Sequence, residues 1–346
     1  MEAQHDKAKA IGEYVKALDG NADDETQKRK SIKRLTVLAV KEPQLATAID
    51  SAFEAEKRKR KDSGFLSLGY AEFLTKIKQS EKAVSILNQA VRQSADKEFI
   101  EAAGEFYQSE NNFSGEQSAL KRLAEIVSSP RQTILYRLQL AESFEENRDR
   151  NSAKAVLAEL VRKFPTNYGV LIESADFYFR LGFENESVAV LQNALARSRG
   201  YYRTALAEKL AKRLIQLNRL DSAEHILSAL HNKDKANREI FRQLAGICVR
   251  TRKTETMRKA FSETVDALKQ SDADRRELDE QIADLREQMI DAFTQVGDYK
   301  SAIEQHIEII NRQPDDEMLV ENAISYAERY GGAETLLNFY LKTSAE

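Results

Sequence analysis

The stretch 134–201 reads ILYRLQLAESFEENRDRNSAKAVLAELVRKFPTN over residues 134–167 and YGVLIESADFYFRLGFENESVAVLQNALARSRGY over residues 168–201. When each half is numbered from one, small residues stand at positions eight and twenty, and bulky residues stand at eleven and twenty-four. These positions hold Ala141, Ala153, Phe144 and Leu157 in the first half, and Ala175, Ser187, Tyr178 and Leu191 in the second. A small side chain lets two helices approach closely, and a bulky one fills the space beside it. The pattern therefore predicts a pair of packed helices in each half.

Five further units show the same pattern with varying fidelity. They begin near Gly64, Lys97, Thr204, Arg238 and Ala283. Two of them are weaker, because Glu116 and Met257 stand at position twenty, where a small residue is expected. Before the last unit, Ser271 with Asp274 is typical of a capping box and predicts a long helix over residues 273–296. Gly297 should separate that helix from its partner, since positive φ is easiest for glycine.

The repeated unit resembles the tetratricopeptide repeat (TPR), in which each thirty-four residues form two antiparallel helices. The resemblance runs from Gly64 onward, about four fifths of the chain, although no unit has Trp at position four. The match to the TPR pattern is specific when several units are taken together, but a single unit alone would not identify the repeat. It implies an all-α fold in which about seven to eight helix pairs coil into a right-handed superhelical α-solenoid.

Residues 1–62 do not fit the repeat. Three helices are predicted there, from His5 to Leu18, from Asp23 to Val40 and from Pro43 to Lys61, with a first break at residues 20–22. Since the end of a solenoid must cover its first repeat, we expect residues 1–62 to be an N-terminal helical cap and residues 63–346 to be the repeat array. At the other end, Leu336, Leu337 and neighbouring apolar residues have no polar cap after them. We therefore expect either an array that continues in a longer protein or self-association through that end.

Composition narrows the classes of function. The chain has 346 residues, a formal net charge of -3, one cysteine and no tryptophan. Balanced charges suit solvated helix faces and argue against nucleic-acid binding over the whole surface. A lone Cys248 excludes an internal disulfide framework. The N-terminus shows no secretory signal and no run of apolar residues is long enough to span a membrane, which favours a cytoplasmic protein.

No group of residues predicts catalysis, a cofactor or a metal. His306 occupies position twenty-four of its unit, which is usually apolar, so we expect a packed, hydrogen-bonded core histidine. His225 is expected on an outer face, and Cys248 is expected to be a small buried apolar residue. No glycine-rich phosphate loop occurs. We therefore expect that the protein is not an enzyme.

Two basic runs leave an alternative open. Residues 57–61 read KRKRK, and residues 28–34 contain five further cations. Such runs are typical of a nucleic-acid patch or nuclear-import signal, but also of a solvated helix C-terminus, where cations favour the helix dipole. The position of the first run before Asp62-Ser63-Gly64 favours the second interpretation.

The resemblance places positions two, five, nine, twelve and thirteen of each first helix on a concave groove, which implies binding of a protein segment or partner helix. This face is acidic in the early units and again near Asp284, Glu287 and Asp291. In the middle it carries basic residues around apolar ones, and we expect them to bind an acidic partner with apolar anchors. The expected partner-binding residues are Arg180, Lys212, Arg242, Arg250, Phe179, Ile215 and Val249. The alternative is that these charges only keep the solenoid soluble.

The favoured function is a non-enzymatic protein-interaction scaffold. The alternatives are an RNA- or DNA-associated repeat protein that uses the basic N-terminal helices, and a regulatory array of a larger enzyme.

Overall fold

The computed structural model describes residues 2–19, 25–60, 63–271 and 274–343. Within those ranges the chain forms nineteen α-helices and no strand. By their internal contacts the residues form two compact units, Met1–Gly182 and Phe183–Glu346. The first unit holds α1 (Glu2–Lys16), α2 (Glu25–Lys41), α3 (Ala46–Lys59), α4 (Gly64–Lys76), α5 (Ser80–Gln93), α6 (Lys97–Ser109), α7 (Phe113–Ile126), α8 (Pro130–Glu146), α9 (Arg150–Lys163) and α10 (Tyr168–Arg180). The second holds α11 (Glu184–Arg197), α12 (Gly200–Gln216), α13 (Leu220–Lys233), α14 (Arg238–Thr251), α15 (Thr254–Lys269), α16 (Arg275–Val296), α17 (Tyr299–Ile310), α18 (Glu317–Tyr330) and α19 (Ala333–Thr343).

The turn between the paired helices follows one rule in all seven predicted repeats. The second helix begins at position seventeen each time, and the residue at position fifteen has positive φ. These residues are Lys78, Asn111, Arg148, Gly182, Asn218, Arg252 and Gly297, with φ between 53 and 86°. In the repeats that begin at residues 64, 97, 134, 204, 238 and 283, the N–H of position sixteen donates to the carbonyl of position eleven, as Asp149 does to Phe144 at 2.8 Å. This hydrogen bond and the left-handed residue together form a Schellman motif, which ends the first helix sharply. The predicted all-α fold of TPR-like helix pairs is confirmed.

The two weak repeats keep the predicted register. Met257 is fully buried at position twenty. In the other repeat, an added Cβ at Gly115 would lie 2.2 Å from the Tyr107 ring, so Gly115 supplies the small residue one position earlier. The adjacent Glu116 is buried, and its carboxylate accepts hydrogen bonds from Gln108 and Ser143. A buried carboxylate is tolerated at position twenty because both of its oxygens have donors.

The predicted capping box at Ser271 is wrong. The Ser271 hydroxyl donates to the carbonyl of Leu268 and so belongs to the end of α15. Asp274 alone caps α16, with its carboxylate accepting from the backbone N–H groups of Arg276 and Glu277. An aspartate at the N-cap does not need a reciprocal partner, which explains why α16 begins at Arg275.

The three predicted N-terminal helices form with different bounds: α1 begins at Glu2 and ends at Lys16, and α3 is shorter than predicted. A 3₁₀ turn at Ala17–Asp19 follows α1, and another at Pro43–Leu45 precedes α3, which ends at Lys59. The predicted break at residues 20–22 lies outside the described residues. These helices contact the first repeat through aromatic packing, because the Phe53 and Tyr70 rings stack at 3.9 Å between centroids. Gly69 allows α4 to approach the backbone of the 3₁₀ turn, where an added Cβ would lie 2.4 Å from the Leu18 carbonyl oxygen.

Candidate partner-binding surfaces

A groove of about 990 Å³ opens in the first unit over helix α4, with α2 on one side and α6 on the other. Helix α4 contacts both flanking helices and therefore forms the floor. This space lies at the upper end of the range for ligand pockets. The α4 residues that line this space stand at positions two, five, nine, twelve and thirteen of the first repeat. The TPR resemblance places these positions on the concave side. We call this space the N-terminal groove; α2 contributes Lys28, Arg29, Ile32, Lys33, Thr36 and Val37, α4 contributes Phe65, Leu68, Glu72, Thr75 and Lys76, and α6 contributes Ala102, Glu105, Phe106, Ser109 and Glu110.

One ion pair neutralises the floor of the N-terminal groove. The Lys28 ammonium donates to the Glu72 carboxylate at 2.6 Å, and the Lys28 side chain is only 7% exposed. A buried lysine is costly unless it is paired, so this contact fixes α2 against α4. Lys76 is a further exposed cation on α4, and other charged residues line the walls. Arg29 and Lys33 are exposed on the α2 side, and Glu105 and Glu110 are exposed on the α6 side.

The predicted basic residue in the first unit, Arg180, contacts the preceding repeat. Arg180 forms a bidentate pair with Glu145, with nitrogen–oxygen distances of 3.1 and 3.0 Å. Its guanidinium also lies 4.2 Å from the centre of the Phe177 ring. The hydrogen bond to Glu145 raises the pKa of Arg180. Phe179 is half-buried beside it. Arg180 therefore links α8 to α10 and still exposes 55% of its side chain.

The other predicted residues lie in the second unit, on α12 and α14. Arg242 donates to Gln288 at 2.9 Å, and Arg250 donates to Asn218 at 2.6 Å, so each arginine contacts a neighbouring repeat. Lys212 is exposed, whereas Ile215 and Val249 are half-buried. Their placement fits an accessible face with apolar residues among basic ones. Their role in partner binding stays a prediction.

Local contacts engage part of the basic N-terminal run. Arg60 pairs with Asp19 and with Glu56, whose carboxylate is also 3.5 Å from Lys59. The Lys57 ammonium lies 5.8 Å from the centre of the Phe53 ring. Lys61 is outside the described residues. These contacts fit a helix C-terminus, where cations are favoured, and reduce the charge available to a phosphate backbone.

The cysteine and most of the described histidines, which are the candidates for reactive or metal-binding side chains, are packed among other side chains. Burial raises the pKa of the Cys248 thiol to about 11, which disfavours the reactive thiolate. His306 packs against the Tyr326 ring as predicted, and its buried Nε2 has no hydrogen-bond partner among the described residues, so the predicted hydrogen bond is not made by this nitrogen. His225 is exposed as predicted. Across the described ranges, no group of three or more His, Cys, Asp and Glu residues could hold a metal ion.

The last two helices leave apolar residues at the surface. Leu336 is buried against the core, but Leu337 and Leu341, one turn apart on α19, are each 58% exposed. Self-association through this end stays a prediction. None of the helices in the described part of the chain is long and apolar enough to cross a membrane.

The fold and its repeated turn define the class as an all-α protein of TPR-like helix pairs. No protein-family model matches the chain, and no curated protein matches it. Similar solved structures include the C-terminal part of a TPR repeat-containing protein from Cytophaga hutchinsonii, at 10% identity and a TM-score of 0.41, covering 73% of this chain and 97% of that one. Another is Pseudomonas aeruginosa pilF, at 14% identity and a TM-score of 0.34, covering 66% and 97%. A tetratricopeptide repeat protein from Parabacteroides merdae shows 13% identity and a TM-score of 0.35, covering 72% and 99%.

Proposed function

We propose that this protein is a non-enzymatic scaffold that holds a segment of a partner protein on the concave faces of its TPR-like repeats. The N-terminal groove carries the proposal, because it combines a large open volume with apolar and charged side chains on the same three helices. Binding sites for protein segments share this combination, in which apolar anchors supply affinity and polar groups fix orientation. A groove built on three packed helices is formed before the partner arrives, so binding avoids much of the ordering cost.

The basic face on α12 and α14 is proposed as a second contact region. Lys212, Arg242 and Arg250 surround the half-buried Ile215 and Val249, and an acidic partner segment with apolar side chains would complement them. Phe179 and Arg180 present the same combination within the first unit. Electrostatic complementarity of this kind raises the association rate more than the affinity.

Site-specific photo-crosslinking tests the proposed function. Benzoylphenylalanine placed at Val37 or at Ser109, on opposite walls of the N-terminal groove, should crosslink the same partner segment in native lysate. Glu125 on α7 is 61% exposed and does not line the groove, so it serves as the control position. Mass spectrometry then maps the crosslinked peptide. Crosslinks that are equally frequent at Glu125, or that are absent at both groove positions, would contradict the proposal.

Nucleic-acid association remains the second candidate function, because one segment of the second unit has suitable chemistry. Tyr201 and Tyr202 are 82% and 54% exposed at the start of α12, and Arg197, Arg199 and Arg203 flank them. Exposed aromatic rings among arginines can stack on bases while the cations contact phosphates. Binding of a single-stranded oligonucleotide that weakens steeply with salt, and that is lost in Tyr201→Ala with Tyr202→Ala, would favour this candidate.

A further inference from the structure

We propose that the occupant of the N-terminal groove is an amphipathic α-helix of a partner protein, seated on α4 with its acidic flank toward α2 and its basic flank toward α6. This inference rests on the proposed scaffold function and assigns the chemistry of the partner. Three observations carry it: the spacing of the walls, the apolar residues between them and the opposite charges on them.

The dimensions of the groove favour a helix over an extended strand. Packed helices lie about 8–10 Å apart, so α2 and α6, which both contact α4, are separated by at most roughly 16–20 Å. A helix of about 10 Å diameter fills the valley between two such walls and contacts all three helices. At a rise of about 1.5 Å per residue, such a helix occupies roughly 120 Å³ per residue. The groove volume of about 990 Å³ is large enough to admit turns of such a helix.

The apolar residues of the groove suit the apolar stripe of that helix. Phe65 on α4 is half-buried and Val37 on α2 is exposed, whereas Leu68 and Ile32 line the groove but are themselves buried. Phe106 extends the apolar surface on α6. Val37 is 41% exposed, so water contacts apolar surface there until a partner covers it. Two or three large apolar side chains, spaced at three and four residues, would bury this surface.

The charges on the groove walls determine which flank of the partner helix faces each wall. Lys28 and Glu72 neutralise each other on the floor, where Lys76 adds one exposed cation. Arg29 and Lys33 then make the α2 wall basic, and Glu105 and Glu110 make the α6 wall acidic. A helix with acidic residues on one flank and basic residues on the other meets an opposite charge on both walls. A nucleic acid is disfavoured here, since the α6 wall would repel its phosphates.

Synthetic peptides of about sixteen residues with the same leucine stripe test the inference, because helices of this length are marginal alone and form on binding. The first peptide carries Glu on one flank and Lys on the other. The second carries Glu on both flanks, and the third carries Lys on both. We expect the mixed peptide to bind the full chain about tenfold more tightly than either single-charge peptide, as measured by fluorescence anisotropy. A central proline in the mixed peptide should abolish binding, because proline breaks the helix.

Charge reversal on each wall should change these preferences in opposite directions. Arg29→Glu with Lys33→Glu should weaken the mixed and Glu-only peptides and strengthen the Lys-only peptide. Glu105→Lys with Glu110→Lys should weaken the mixed and Lys-only peptides and strengthen the Glu-only peptide. Arg131→Glu with Arg162→Glu is the matched control, since both arginines are exposed in the first unit outside the groove. It should leave the ranking unchanged.

Each result decides one of the two proposals. Equal binding of the three peptides, tolerance of the central proline or no binding by any peptide would overturn the amphipathic-helix inference. If crosslinks at Val37 and Ser109 still map to one partner segment, the scaffold function stands and only the assigned chemistry is wrong. If those crosslinks are absent as well, both the amphipathic-helix inference and the proposed scaffold function are wrong.

Discussion

The hydroxyl of Ser143 on α8 donates a hydrogen bond to the Glu116 carboxylate on α7, with the two oxygens 2.7 Å apart and both residues buried. The other carboxylate oxygen accepts from the Gln108 side-chain amide at 2.6 Å. One polar side chain thus links three helices at a position where the other repeats use a small or apolar residue. This link ties the third repeat to the second and makes both depend on a polar contact.

We predict that Glu116→Ala destabilises the protein by about 1–3 kcal/mol, because it leaves the buried Ser143 hydroxyl without an acceptor and opens a cavity. Chemical denaturation followed by circular dichroism measures the loss. Glu125→Ala, on the exposed face of the same helix, is the control and should stay within about 0.5 kcal/mol of the parent. Adding Ser143→Ala to Glu116→Ala should cost little more. Additive losses would show that the two side chains are not coupled.

The left-handed residue between paired helices gives a second prediction. Arg148 has φ 60°, a conformation that costs roughly 1–2 kcal/mol for a residue with a Cβ and nothing comparable for glycine. Arg148→Gly should therefore stabilise the protein by about 0.5–1 kcal/mol, after the entropy that glycine adds to the unfolded chain. Arg148→Ala keeps the strain and separates this effect from the loss of the side chain. A melting temperature of Arg148→Gly below that of Arg148→Ala would contradict the prediction.

The same reasoning run in reverse predicts that Gly297→Ala lowers stability. Gly297 has φ 80°, and no atom lies within 4 Å of an added Cβ, so the cost of alanine there is conformational and not steric. We expect a loss of about 1 kcal/mol, visible as a lower melting temperature. A parent-like melting temperature would show that the turn relaxes without strain.

Overpacking at the helix crossings provides a third test. Ala153 and Ala302 occupy position twenty of their repeats and have no solvent exposure. Replacing either with leucine adds three carbons where two helices are already in contact. We predict a loss of about 1–3 kcal/mol for each, measured by thermal denaturation. Parent-like melting of both variants would mean that the helices separate easily at position twenty.

Periodicity predicted the helix pairs well, because small and bulky residues at fixed spacing report the packing between neighbouring helices. Position fifteen was harder to predict, since Gly182, Gly297, Asn111 and Asn218 suit the left-handed conformation by residue type, whereas Lys78, Arg148 and Arg252 do not. The false capping box at Ser271 shows the limit of local motifs, because a hydroxyl near a helix start can equally end the preceding helix. The right-handed course of the superhelix stays a prediction.

The N-terminal groove could not be predicted from the repeat pattern. Its α2 wall lies outside the repeats, and the sequence shows only a basic run there. Lys28, Ile32 and Thr36 recur at four-residue steps, which indicates one helix face but not what that face contacts. The buried pairing of Lys28 with Glu72 joins residues forty-four positions apart, and no local signal specifies such a contact.

The basic face of the second unit gives a fourth prediction, through Arg242→Glu combined with Arg250→Glu. Both side chains are exposed, and each loses one hydrogen bond to a neighbouring repeat, so the melting temperature should change little. The association rate of a partner that uses this face should fall, and the parent should show steep salt dependence. Surface plasmon resonance with the partner identified by crosslinking measures both. An unchanged association rate would exclude this face as a binding site.

The buried imidazole of His306 gives the last prediction. Burial lowers the pKa of His306, and its Nε2 has no hydrogen-bond partner among the described residues. The unfolded chain, with an ordinary histidine pKa of about 6.5, binds the proton more readily than the folded protein. The stability that depends on a neutral His306 is therefore complete above about pH 7.5 and is lost as the pH falls below about 6.5.

The melting temperature of the parent should thus fall between about pH 7.5 and pH 5.5, and His306→Leu should reduce that fall. Leucine is the matched replacement, because Leu87, Leu157 and Leu227 occupy position twenty-four in other repeats and are fully buried. It should also raise the melting temperature at neutral pH, since it removes a buried polar nitrogen. His225→Gln is the control, because that side chain is exposed. If His306→Leu keeps the full pH dependence of the parent, other groups cause it, and the neutral state of His306 contributes nothing measurable to the fold.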